Sequence, residues 1–225
     1  LFAGLLVEGA AGWPEDTQVV GSEGDVHFLA FPQGGGRVRL YLGYGSDQPH
    51  RLAGAGAARA FLDAFCLTSV PWGEHLASAV PAGPCSSFAN AGSWTDAVAI
   101  PGAVLVGDAA GANDPIIGQG LSIALRDVRL VRDVLLSGSD WGPESLRPYA
   151  AERAERMRRL GFAASVVATL QNEFGDEARA RRRRVRERQA QDPMLFLPFA
   201  APFLGPHNLP PEAFDEEIRD RLFRP

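Results

Sequence analysis

Residues 103–120 read Ala103-Val104-Leu105-Val106-Gly107-Asp108-Ala109-Ala110-Gly111-Ala112-Asn113-Asp114-Pro115-Ile116-Ile117-Gly118-Gln119-Gly120. The apolar run Ala103 to Val106 reads as a buried strand that ends in an exposed aspartate, Asp108. A Gly- and Pro-rich loop follows, then an amphipathic helix from Gly118 to Leu136. Strand, loop and helix in that order put a carboxylate and unpaired backbone N–H groups at one edge of a sheet. A helix N-terminus carries about half a positive charge and free donors, so the corner attracts an anion or a polarised oxygen. It suits a cofactor with a polyol chain and a ring that becomes negative.

The longer stretch GDAAGANDPIIGQGLSIALRD, residues 107–127, resembles the second FAD-binding motif of the flavin-dependent aromatic hydroxylases, the p-hydroxybenzoate hydroxylase-like monooxygenases. Gly107, Asp108, Ala109, Ala110, Pro115, Gly118, Gln119, Gly120 and Asp127 fall on that pattern. Two positions depart: Gly111 stands where the family usually has histidine, and Ser122 where it usually has asparagine. The resemblance implies that Asp108 accepts a hydrogen bond from a ribityl hydroxyl and that Pro115 lies against the isoalloxazine. The N–H groups from Gly118 to Leu121 would face the N1–C2=O edge of the ring, where reduction places negative charge. Glycines at 118 and 120 keep a Cβ out of the way of the approaching ring. The implied FAD-binding set is Gly107, Asp108, Pro115, Gly118, Gln119, Gly120, Leu121 and Ser122. Few side chains act as acids or bases in that family, so no catalytic residue is assigned.

The implied activity is that of an FAD-dependent monooxygenase. NAD(P)H would reduce the flavin, and O₂ would supply an oxygen atom to a small, electron-rich organic substrate, aromatic compounds included. A reductase or halogenase on the same scaffold is an alternative, although a halogenase would be expected to carry a lysine near the flavin tunnel and these residues contain none. A non-catalytic truncated interaction module is a third reading. Enzymes of the resembled type bind the ADP half through a GxGxxG turn after the first strand. The nearest string here, Gly54-Ala55-Gly56-Ala57-Ala58-Arg59, follows a polar stretch and ends in arginine, so it reads as the start of an Ala-rich helix. The chain also opens at Leu1 inside an apolar run. It is therefore expected to be the C-terminal portion of a longer enzyme, with a missing N-terminal FAD-binding segment on the order of 150 residues.

The expected fold class is α/β, with mixed α+β character, as part of a two-domain FAD/NAD(P)-binding flavoprotein. Residues 1–95 would form the substrate-domain sheet, 96–136 the returning strand–loop–helix of the FAD domain, and 137–225 a helical region. Strands are expected at Leu1–Val7, Asp25–Phe31 and Arg37–Tyr44, the last two joined through Pro32–Gly36. In the third, Arg37, Arg39 and Tyr41 alternate with Val38, Leu40 and Leu42, the period of a half-buried strand. A helix from Ala57 to Phe65 would pack on this sheet. One face would roof the flavin and shape the substrate pocket, with His27, Phe28, Arg39 and Tyr41 as candidate lining residues. His27 is either a packed strand histidine or a base; Arg39 is either a surface ion-pair partner or a clamp for an acidic substrate.

On the helix after the loop, Leu121, Ala124, Leu125, Val128, Val131 and Leu135 recur at three- and four-residue steps and predict the core face. Asp127, Arg129, Arg132 and Asp133 would lie on its polar side. Pro143 suits a first helical turn and leads a helix to about Phe174. A second helix, Asp176 to Gln191, carries an arginine cluster whose neighbouring acids make it a solvated face rather than a nucleic-acid patch. The apolar tail 194–206 is too broken by proline to span a bilayer and would pack on the body or on a partner subunit.

Composition narrows the classes. With 225 residues, 46% hydrophobic and 22% charged, the chain can bury a real core. A net charge of −5 argues against a general nucleic-acid surface. All 22 basic residues are arginine, which excludes Schiff-base chemistry on lysine. Cys66 and Cys85 lack metal spacing, as do His27, His50, His75 and His207, so no metal site is expected. No run reaches the roughly 18 apolar residues that a membrane span needs. A soluble protein of the reducing cytoplasm is expected, with its oligomeric state open.

Overall fold

Alternating apolar residues build the first half of the chain. β1 (Phe2–Glu8), β2 (Val19–Glu23), β3 (Val26–Gly34) and β4 (Arg37–Gly43) form an antiparallel sheet in the order β2-β3-β4-β1. After α1 (Ala57–Ala64), the short strands β5 (Val80–Pro81) and β6 (Ser86–Phe88) both pair with the outer edge of β1. Cross-strand register sets Leu5 opposite Leu40, Leu40 opposite Ala30, and Leu42 opposite both Ala3 and Phe28. Because successive side chains point to opposite faces, these residues share one face, and all are buried. Phe61 of α1, fully buried, and Phe65 stack together on that face (ring centroids 5.9 Å apart) and close the core with Trp13. Each such side chain stabilises the fold by about 1.5–3 kcal/mol. The turn between β3 and β4 runs through Gly34, Gly35 and Gly36 at φ 78°, 62° and 71°, a left-handed run that side chains would strain.

The computed structural model describes residues 1–76, 78–90 and 92–224, and the chain divides into two units. The first is Leu1–Asn90 with Leu170–Ala180; the second is Ala91–Thr169 with Arg181–Pro225. β2, like the short β5 and β6, is a strand of the first unit that sequence patterning does not predict. It offers only Val19 and Val20 as apolar residues, and its pairing with β3 makes it a strand. Gly21 there lies under the Phe28 ring; a Cβ would come within 2.5 Å of it. At the end of the same strand the Glu23 carboxylate accepts hydrogen bonds from Thr68 N and Oγ1 and from Ser69 N, tying the loop after α1 to the sheet.

The second unit is mostly helical. Its strands are two short ribbons: β7 (Ser93–Trp94) with β10 (Gly111–Ala112), and β8 (Ala99–Ile100) with β9 (Ala103–Val104). The helices are α2 (Gly120–Ser137), α3 (Arg147–Gln171), α4 (Asp176–Gln191), α5 (Leu197–Leu204) and α6 (Glu216–Phe223), with the adjoining ends of α3 and α4 in the first unit. The expected strand Ala103–Val106 is corrected: strand pairing stops at Val104, so Asp108 does not end a central strand. Leu105 is satisfied otherwise, its N–H donating to Val98 O (2.8 Å) and its carbonyl accepting from Tyr149 Oη (2.6 Å). α3 begins at Arg147 instead of Pro143, because residues 143–147 close i→i+3 turns first. The tail 194–206 forms a 3₁₀ turn and α5, burying Leu195, Pro198, Ala200 and Ala201 while Phe203 stays exposed. Among the described residues no helix is long and apolar enough to cross a membrane.

The face of α2 is also corrected. Ile123, Asp127 and Val131 point inward, and Leu121, Leu125 and Val128 are 74%, 62% and 51% exposed. The helix is turned so that the Asp127 carboxylate meets the buried Arg153 and Arg156.

The Glu23 clasp gives a pH signature. Hydrogen bonds from the side chain and backbone of Ser69, then from the backbone of Thr68, hold its pKa near 2, against an ordinary 4.5. A depressed carboxyl pKa contributes stability that is present above the ordinary value and lost as pH falls through the folded one. Glu23→Gln should therefore lower Tm at pH 7, and the gap from wild type should close between about pH 4.5 and pH 2. A Tm gap that is constant over that range would show that the charge does not matter.

Candidate functional site

Gly107 to Ala110 form a 3₁₀ turn that rests against α2. Gly107 takes φ 56°, and a Cβ there would stand 3.2 Å from Ala124 Cβ, so glycine is what allows the close approach. Its N–H donates to Asp127 Oδ2 at 2.9 Å. Gly111, at φ 122°, pairs with Trp94 in the β10–β7 ribbon, and a Cβ would come 2.7 Å from Ser93 O. The resembled family's usual histidine has no room at this position.

Downstream, Asp114 Oδ1 accepts from Ile116 N (2.9 Å) and caps the 3₁₀ turn Pro115–Ile117. Gly118 ends that turn in the left-handed conformation, φ 66°. α2 then starts with no side-chain cap from Gln119 and no acid in its first turn. The N–H groups of Gly120, Leu121 and Ser122 precede the first intrahelical bond, Ile123 N to Gln119 O, and so have no acceptor within the helix. A Cβ at Gly118 or Gly120 would meet nothing within 4 Å. Asp108, Pro115, Gly118, Gly120, Leu121 and Ser122 are exposed, Gln119 is half-buried and Gly107 is buried. One carboxylate acceptor and an uncapped helix start with bare glycines thus lie open to solvent, a donor–acceptor set that fits an oxygen-rich, partly anionic ligand such as FAD.

α3 holds this loop in place from behind. Arg153, 2% exposed, donates from Nε to Asp127 Oδ2, from Nη1 to Ala110 O, and from Nη2 to the carbonyls of Gly107 and Gly111, all at 2.9–3.1 Å. Arg156 binds the other oxygen of Asp127 and also pairs with Glu152. Two cations thus face two carboxylates. Desolvation by burial, then the Asp127 charge, pushes the Tyr149 pKa up to about 12, so its hydroxyl keeps the proton it donates to Leu105 O. Asp127 matches the sequence pattern, but it is fully buried rather than on the polar side expected for it. Arg153 and Arg156 were not singled out from sequence; their steps of four and three from Tyr149 place all three on one helical face, which was the available signal. Removing one member of a buried charge network leaves the others uncompensated, at a cost of about 3–5 kcal/mol. Asp127→Ala should lower stability by about that much in a denaturant titration, whereas Asp133→Ala on the exposed side of α2 should cost under about 0.5 kcal/mol.

The other candidates lie in the first unit. Arg39 and Tyr41 share the sheet face opposite the core and line a cavity of about 410 Å³ with Gly4, Leu6, Ser86 and Phe88. Phe28 faces the core on the other side of the sheet. His27 is 1% exposed, with its Nδ1 3.1 Å from Ser22 Oγ and its ring edge-on to Phe2, and it does not line that cavity. Among the described residues no cluster of His, Cys, Asp or Glu could hold a metal ion.

Comparison with known proteins bears on both regions. Residues 2–174 match the family model of squalene epoxidase. Over 147 residues the chain is 29% identical to the ubiquinone hydroxylase UbiL of Rhodospirillum rubrum, covering 63% of this chain and 34% of that protein. The fold is similar to that of a triple mutant of the flavin-dependent brominase Bmp2 (TM-score 0.65, 15% identity, 97% of this chain and 54% of that one). It is also similar to Klebsiella pneumoniae HpxO in complex with FAD and uric acid (TM-score 0.54, 19% identity, 80% and 46%). The chain spans about half the length of these structures and a third of the curated relative.

Proposed function

The chain belongs to the squalene epoxidase family of FAD-dependent oxidoreductases, and from that premise we propose that it serves an FAD-dependent monooxygenase that uses NAD(P)H and O₂ to hydroxylate a small organic substrate. The observation that carries this reading is the open Gly107–Asp108 turn and uncapped α2 start, locked from behind by Arg153. Asp108 would accept a ribityl hydroxyl, Pro115 would stiffen the loop beside the ring, and the N–H groups of Gly120, Leu121 and Ser122 would donate to the ring edge that gains charge on reduction. FAD, when bound and reduced, supplies the electrons and the site of O₂ activation. The chain's own part is to orient the ring and to present no Cβ at Gly118 and Gly120.

The adenosine and pyrophosphate contacts are assigned to the half of such an enzyme that these residues do not span. A reducing cytoplasm is part of the same proposal. Two measurements test the reading. Titrated with FAD, the 225-residue chain should bind weakly or not at all and should show no NAD(P)H oxidation; micromolar binding with turnover would place a complete cofactor site within it. In the full-length enzyme, Asp108→Ala should weaken FAD retention by roughly 1–3 kcal/mol, the cost of one lost acceptor contact. Unchanged retention would mean that another group holds the ribityl chain.

A further inference from the structure

A second cavity of the first unit lies on the core face of the sheet, the face opposite Arg39 and Tyr41. It is lined by Leu40 of β4, by Leu62 and Phe65 at the end of α1, and by Leu67, Val70 and Leu76 of the segment that follows. Its volume is about 310 Å³, and the exposed Cys66 and Glu74 stand at its rim.

Apolar walls ordinarily relax toward one another, as far as whatever holds them allows. Here one wall is held from outside. The Glu23 carboxylate on β2 accepts hydrogen bonds from Thr68 N and Oγ1 and from Ser69 N. Two turns fix the rest of the segment, Gly73 N donating to Val70 O (3.2 Å) and His75 N to Trp72 O (3.0 Å). Between them Trp72 takes φ 57°, the one positive value at a non-glycine residue among the described residues, with its ring edge-on to Trp13 at 6.2 Å. A bulky side chain keeps that conformation only where its surroundings impose it. Contacts outside the cavity therefore hold Leu67, Val70 and Leu76 at a set distance from α1.

Volume and lining narrow the ligand. A dry apolar cavity of about 150 Å³ admits one benzene ring, so this one has room for about two fused rings. Glu74 is the one charged residue in the described lining, and its side chain is 74% exposed, with His75 Nε2 3.9 Å away. The Thr68 hydroxyl is already given to Glu23. An anionic group would find no cation in the described lining and would face the Glu74 carboxylate.

We propose that this cavity binds an uncharged, apolar compound of about two fused rings, held between α1 and the segment 66–76. The inference uses no part of the flavin site and stands apart from the monooxygenase reading.

Calorimetric titration of the 225-residue chain with neutral 2-naphthalenemethanol and with anionic 2-naphthoate tests it. The alcohol should bind about ten-fold or more tighter than the carboxylate. Saturating alcohol should also slow the alkylation of Cys66 by iodoacetamide severalfold, read in a Cys85→Ser background so that a single thiol reports. Leu62→Trp, which fills the space with an indole, should abolish both effects and keep its thermal transition. No binding of the alcohol up to its solubility limit, equal affinity for the two probes, binding that survives Leu62→Trp, or binding that leaves Cys66 alkylation unchanged would overturn the proposal. If Leu62→Trp loses its thermal transition, Leu67→Trp takes its place, and the wild-type preference together with Cys66 protection decides.

Discussion

Asp127 is a carboxylate with no access to water, and the second unit is arranged around that constraint. An ionised group removed from solvent is costly by several kcal/mol unless its oxygens are fully engaged. Here they receive Arg153, Arg156 and the N–H of Gly107. The two arginines raise the same difficulty in turn. Arg153 meets it by donating to three backbone carbonyls of the 107–111 turn, and Arg156 by sharing Glu152. The interactions that neutralise the buried charges are thus the ones that shape the turn, so the loop conformation and the charge network cannot vary independently.

This arrangement explains features that look unfavourable by themselves. α2 exposes Leu121, Leu125 and Val128 because the helix rotation that would bury them would carry Asp127 away from its partners. Tyr149 adds a neutral anchor one turn before Arg153 and fixes Leu105, the residue that leads into the turn. The loop face turned away from α3 is left with its donors open.

The first unit follows a different logic. Its sheet is held by apolar burial on one face, with Phe61 and Phe65 over Leu40, Leu42 and Phe28, and its polar ties lie at the rim. The opposite face is shaped by where side chains are missing. Gly4 lets Tyr41 lie down, and Gly43 does the same for the Phe2 ring, whose atoms would meet a Cβ at 2.8 Å.

Sequence alone determined the elements whose pattern is local: strands with period-two alternation such as β4, the helix Asp176–Gln191, the glycine turn at 34–36, and the ordered GDAA…P…GQG run. These are settled by neighbours a few residues apart, so periodicity and backbone freedom suffice to read them. What only the tertiary structure decided depends on partners far along the chain. β2 exists because β3 pairs with it; the strand at 103–106 stops early because Tyr149, 44 positions away, takes the Leu105 carbonyl. Asp127 is buried, although helical periodicity placed it outside, because its counter-charges arrive on α3, 26 and 29 residues later. Hydropathy treats a charged side chain as a surface residue, and only the fold reveals which charges have been given partners.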